Sequence, residues 1–90
     1  MIKSFRHKGL KRFFETGSTA GIQAKHQTRL RLQLQVLNSM SNVLELDLPG
    51  FYLHKLKPTS RWSIRVSGNW RLTFEFTDGD VIVLDYEDYH

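Results

Sequence analysis

His54, Lys57, Arg71, Asp88, Tyr89 and His90 are the side chains of this 90-residue chain best suited to moving protons and holding phosphate. Three of them form the terminal run Asp88-Tyr89-His90, where a chain usually frays. Here the strand-like stretch Val81-Ile82-Val83-Leu84-Asp85-Tyr86 leads straight into that run. A stretch of this type fastens the tail to a sheet, fixes an acid, a phenol and an imidazole, and leaves His90 close to its own carboxylate. His54 and Lys57 lie three apart on a strand that Pro58 ends. Strict alternation puts them on opposite faces, so both reach one place only if the strand twists or stops near Leu56. Arg71 projects opposite Leu72, Phe74 and Phe76, and its planar fork matches phosphate oxygens. Its ordinary alternative is a cross-strand pair with a carboxylate such as Asp85. Arg65, one strand over, suits either role. The ordinary readings of the others are a charged strand edge for His54 and Lys57, packing for Tyr89 and solvent for His90.

The chemistry this set supports is cleavage of RNA. A ribose 2′-OH attacks the adjacent phosphorus once a base takes its proton. The charge gathering on the phosphoryl oxygens calls for Arg or Lys, and the departing 5′-oxygen needs a proton donor. The nucleophile belongs to the substrate, so no metal or cofactor is expected. His7, His26, His54 and His90 show no metal-ligand spacing. Glycine-rich phosphate loops and Gly-x-Ser-x-Gly are absent from the sequence.

Charge distribution agrees with a polyanionic partner. The formal net charge is +4. Residues 1–40 carry eight Lys/Arg against one acid, Glu15, whereas from Glu75 onward there are six acids and no Lys or Arg. A basic half and an acidic tail suggest a polyanion on one side and a different partner elsewhere. Without cysteine there is no disulfide framework, which fits a reducing cytoplasm. The sequence has neither a membrane-length apolar run nor a signal peptide at Met1. The length sets one domain over 1–90, burying about 60–65% of the surface its unfolded chain exposes.

The elements that must position these residues read as an α+β fold. Ile2-Lys3-Ser4-Phe5 alternates as a short first strand. Leu10, Phe13 and Phe14 fall at helical spacing between His7 and Gly17. Residues 22–40 alternate like a strand through Leu30, Leu32, Leu34 and Val36, yet their types favour a helix. On that helix Leu30, Leu34 and Leu37 share a face with Met40 near its edge, and Leu32 is left unexplained. Val43–Leu46 reads as a helical turn before Pro49-Gly50. Beyond Gly50 an antiparallel sheet is expected: Phe51–Lys57, Trp62–Val66, Trp70–Phe76 and Val81–Tyr86, with Asp78-Gly79 as a hairpin turn. Two helices cover one face of that sheet.

At the level of motifs the chain resembles the HigB-type toxins of the RelE superfamily. The likeness rests on Ile2-Lys3-Ser4-Phe5 with His7-Lys8-Gly9-Leu10, Leu53-His54-x-Leu56-Lys57, Trp62-Ser63-Ile64-x-Val66, Asn69-Trp70-Arg71 and the ending Asp85-Tyr86-Glu87-Asp88-Tyr89-His90. It implies a RelE-like fold, a short N-terminal strand and two helices on a twisted antiparallel sheet. It also implies a ribosome-dependent mRNA endonuclease cutting in the ribosomal A site, with 16S rRNA contacts. The implied partner is a cognate helix-turn-helix antitoxin, with operator DNA reached only through that complex. By position, His90 and Asp88 are implied in proton transfer, Lys57 and Arg71 on the scissile phosphate, Tyr89 on a base or ribose, and His54 as orienter or second acid–base group. Arg65, Lys55 and Lys8 are expected to add contacts to RNA. Many relatives carry Gly after the lysine and a longer loop before Trp-Ser-Ile; here only Pro58-Thr59-Ser60-Arg61 intervenes.

Two other readings share these residues. One is a binding module of the same fold that blocks translation without cleavage. The other is an interaction protein whose charges are a solvated face. His, Tyr and Arg together favour the enzyme, since affinity alone needs only cations.

Overall fold

The fold is organised by the hairpin at Asp78-Gly79, whose residues have φ of 52° and 83°. Left-handed backbone at both central positions is what a tight, twist-matched hairpin requires, and Asp-Gly supplies it. A computed structural model describes residues 1–89 of the chain; His90 falls outside the described residues. The strands are β1 (His54–Leu56), β2 (Arg61–Ser67), β3 (Trp70–Thr77) and β4 (Asp80–Asp88), joined antiparallel in the order β1-β2-β3-β4. The N-terminal segment runs parallel along the outer edge of β4 through bridges Ile2–Val81 and Phe5–Leu84. Residues 2–5, whose alternation predicts a short first strand, form only these two bridges and no continuous strand.

Helices α1 (Lys8–Thr16) and α2 (Gln27–Ser39) cover one face of the sheet. His7 caps α1, its Nδ1 accepting from the Leu10 N–H at 2.9 Å. Leu10 and Phe13 are buried, while Phe14 stays partly exposed against the Phe5 ring. The loop after α1 passes so close that Gly9 and Gly21 touch backbone to backbone. A Cβ on either would sit 2.5 Å from the other's backbone. Helix α2 follows residue type over period. Leu30, Leu34 and Leu37 are buried, and Leu32 lies on the outer side, 51% exposed. Gln33 is the polar member of the buried face; its Nε2 donates to the Arg65 carbonyl at 2.7 Å. Asn42 and Glu45 close a reciprocal cap on the helical turn Val43–Leu46.

The strand expected over 51–57 is shorter than its composition suggests. Gly50 and Tyr52 both take positive φ, 85° and 50°, so the chain turns there and pairs regularly only from His54 to Leu56. Phe51 is driven into the core at 3% exposure, and the turn follows from burying it.

One residue in β4 decides which side chains face where. Near the hairpin, Glu75 pairs with Ile82; past an irregularity, Thr73 pairs with Asp85 and Arg71 with Glu87. The inserted residue shifts the register by one, which exchanges the faces of everything downstream. Tyr86 thereby enters the core and Glu87 leaves it. Val83, at the insertion, has φ 53°, and its amide donates to Ser4 Oγ at 2.8 Å. The ordinary alternative for Arg71, a cross-strand pair with Asp85, is therefore not formed. Asp85 stands opposite Thr73 and approaches Arg6 at 3.9 Å.

Candidate active site on the open face of the sheet

Residues directly opposite in an antiparallel pair share a face. The registers therefore set out two rows on the face that the helices leave open. One row is Arg65, Arg71 and Glu87; the next is His54, Ser63, Thr73 and Asp85. A cleft of about 280 Å³ lies across them, lined by His54, Leu56, Ser63, Arg71 and Tyr89. Three different elements contribute an imidazole, a guanidinium and a phenol to this one depression.

Charge on this face is shared unevenly. Glu87 is directly across from Arg71, yet its carboxylate pairs with Arg61, 3.0 Å from Nη2. Thr73 Oγ1 joins the same pair: Arg61 Nη2 donates to it at 2.6 Å and its hydroxyl donates to Glu87. Arg61 is thus neutralised within the fold. Arg71 donates only to Ser63 Oγ, at 3.5 Å, and no ion pair joins Arg65 or Arg71 to a carboxylate among the described residues. A half-buried guanidinium with that little internal compensation is set to receive an anion.

The Tyr89 N–H donates to the Asn69 carbonyl at 2.8 Å, which ties the tail to the β2–β3 turn. On the covered face Trp70 stacks on Tyr86 with centroids 4.6 Å apart. The Tyr86 hydroxyl accepts from the Gln23 N–H at 3.3 Å and meets His26 Nδ1 at 2.6 Å. His26 Nε2 is buried without a hydrogen-bond partner among the described residues. Burial, with Lys25 adding to it, lowers the pKa of His26, and burial raises that of Tyr86.

The family model for the RelE-like toxin HigB of type II toxin–antitoxin systems matches residues 3–90. The endoribonuclease HigB of Proteus vulgaris is 47% identical over 92 residues, spanning the whole of both chains. The chain belongs to the HigB-like toxin family. Its partner is accordingly an antitoxin, and its two helices on a four-stranded antiparallel sheet are a RelE-like α+β arrangement.

Within this HigB-like chain, the residues singled out from sequence are placed unequally. His54, Arg71 and Tyr89 line the cleft. Lys57 opens the exposed β1–β2 loop, just past the end of β1, and is not part of the lining. Asp88 is opposite Trp70, on the strand side away from Arg71. His90 lies outside the described residues. Arg65 is across from Arg71, its guanidinium over the Tyr52 ring. Lys55 turns to the other face, its ammonium 5.0 Å from the Trp62 ring. Lys8 is exposed at the start of α1. Sequence reasoning passed over Ser63, Leu56, Tyr52 and the Arg61–Glu87 pair. The signal for the last was present: Val81, Ile82, Val83 and Leu84 are four apolar residues in a row, which breaks alternation where the extra residue sits. Among the described residues no three His, Asp or Glu side chains gather as metal ligands, and no helix is long and apolar enough to cross a membrane.

Proposed function

We propose that the chain is an endoribonuclease toxin that cuts mRNA in the ribosomal A site and so stops translation in the cytoplasm. The observation that carries this reading is Arg71 in the cleft beside His54 and Tyr89, its opposite carboxylate diverted to Arg61. In the proposed reaction a base accepts the 2′-OH proton and O2′ bonds to phosphorus. The P–O5′ bond breaks, and an acid protonates the leaving oxygen. The products are a 2′,3′-cyclic phosphate and a free 5′-OH. Arg71, with Lys57 from the adjoining loop, neutralises the pentacoordinate phosphoryl group, whose charge exceeds that of the ground state. His54 and His90 are the proton-transfer candidates, Asp88 standing on the other side of its strand from Arg71, and Tyr89 stacks on a base or orients the ribose. Lys8, Lys55 and the basic first half contact ribosomal RNA.

The antitoxin is proposed to be a helix-turn-helix protein through which the pair reaches operator DNA. The test of the enzymatic reading is primer extension on mRNA in a translating extract. Cuts in the A-site codon with wild type, lost in Arg71→Ala and His54→Gln, support it. Translation arrest without cuts, unchanged in both variants, refutes it in favour of occlusion.

A further inference from the structure

Arg65 and Arg71 face each other directly across β2 and β3. Like charges in that position destabilise a sheet, and the carboxylate that completes their row is engaged with Arg61. The fold nonetheless anchors Arg65 firmly. Its N–H donates to the Phe51 carbonyl at 2.7 Å, and its own carbonyl accepts from the buried Gln33 at 2.7 Å. Its guanidinium carbon lies 5.3 Å from the centroid of the Tyr52 ring.

Tyr52 is itself out of place for a residue of its kind. It is 61% exposed and holds φ at 50°, a left-handed backbone that non-glycine residues adopt at a cost. Its neighbour Phe51 is buried at 3% exposure, so the chain sinks one ring and presents the next. An exposed ring with an arginine against one face leaves the other face for a planar group. Aromatic stacking beside a guanidinium is how single-stranded nucleic acid is held without sequence readout. The position is adjacent to the cleft: Arg65 is two residues along β2 from Ser63, about 6.6 Å on the same face, a span comparable to one nucleotide.

We propose that Tyr52 and Arg65 form a subsite for the nucleotide flanking the scissile phosphate in the substrate RNA strand. The base stacks on Tyr52, and Arg65 holds the neighbouring phosphate beside the one at Arg71. This subsite rests on the nuclease reading and extends it by one nucleotide.

The experiment uses the full chain. A cut site mapped by primer extension supplies the sequence of a short RNA with 2′-deoxyribose at the scissile nucleotide, which blocks attack, and 2-aminopurine at either flank. Wild type is expected to change the fluorescence at one flank. Tyr52→Leu should lose that change and bind roughly tenfold more weakly, while Tyr52→Trp retains it. Arg65→Gln should flatten the salt dependence of binding by about one phosphate contact. In the extract, both Tyr52→Leu and Arg65→Gln should raise KM more than they lower kcat. Fluorescence and KM equal to wild type in both variants, with melting temperatures intact, overturn the subsite and leave the nuclease reading standing. Normal fluorescence with weakened binding to vacant ribosomes also overturns it, assigning the pair to ribosomal RNA. No cut by wild type removes the nuclease reading, and the subsite with it.

Discussion

The two faces of the sheet use the same strands for opposite ends. On the covered face Ile64, Leu72 and Phe74 are fully buried under the helices, and the Tyr86 hydroxyl is bonded to His26 and Gln23. On the open face His54, Arg65, Arg71 and Tyr89 have few partners, and Arg61 alone of the three arginines there is paired. One face stores the free energy of folding, and the other holds groups that the fold leaves with few internal partners. Changes on the first should be felt in stability and changes on the second in activity. The largest departure is expected at Phe74, whose side chain is completely buried. Phe74→Ala should cost about 3–5 kcal/mol, much of the roughly 5–15 kcal/mol available to a domain. A shift of the urea midpoint measures it. An alanine variant with an unchanged midpoint breaks the comparison.

Arg71→Ala is the mirror experiment. A group placed on the charge that develops at phosphorus is worth about 10²–10³ in rate. The exposed rim of an unpaired arginine is worth about 0.5 kcal/mol or less to folding. Cut frequency in a translating extract should fall by about that factor while the urea midpoint holds. A variant that loses stability and keeps cutting would place Arg71 on the structural side of the divide.

The sequence carried the helices and the hairpin because their signals are local. Leu10 and Phe13 fall on one face of α1, and Asp78-Gly79 has the chemistry of its turn. Helix α2 was readable from residue type even though Leu32 spoils its period; nothing in the structure covers that leucine. What could not be read was register. The inserted residue at Val83 turns Tyr86 inward and sets Glu87 rather than Asp85 across from Arg71. Its effect lies in distant pairing, and Ser4 on another segment satisfies the amide it displaces. The same limit hid the cleft. His54, Arg71 and Tyr89 were recognisable as residue types, but Ser63 and Leu56 join them only once β1, β2 and β3 are aligned. The sequence places Tyr52 in a strand because the burial of Phe51, which bends the chain there, is a tertiary event.

The buried imidazole offers a test of the covered face by pH. The pKa of His26 lies below its ordinary value of 6.5, chiefly through burial. The unfolded chain therefore binds this proton more readily than the folded one, and stability rises with pH in that window. The contribution is complete above about pH 6.5 and declines as the pH falls below it toward the lower folded value. The groups around the ring are Tyr86 on β4, Lys25 beside it in the chain, and Trp70 and His7 near the Tyr86 ring. Thermal melts between pH 7.5 and 5 should show wild type losing stability, with His26→Gln flatter over the same range. Tyr86→Phe keeps the stack on Trp70 and removes the hydroxyl, at a cost of about 1–2 kcal/mol. Parallel slopes for wild type and His26→Gln would mean that the imidazole is not what titrates.

Glu87→Gln tests whether pairing is what separates Arg61 from Arg71. The Arg61–Glu87 contact is about a third exposed on each side, so it is worth no more than about 0.2–1 kcal/mol. The amide can still accept from Arg61 and from the Thr73 hydroxyl, so the fold should lose little, and the urea midpoint should move far less than for Phe74→Ala. The face, however, gains a cation without its counter-charge beside Arg65 and Arg71. Its affinity for single-stranded RNA should rise, and the salt dependence of that binding should steepen by up to one phosphate contact. If RNA binding and its salt slope stay at wild-type values, the carboxylate is not masking Arg61, and the contrast between a neutralised and an available arginine on one sheet face has to be drawn from position along the strands instead.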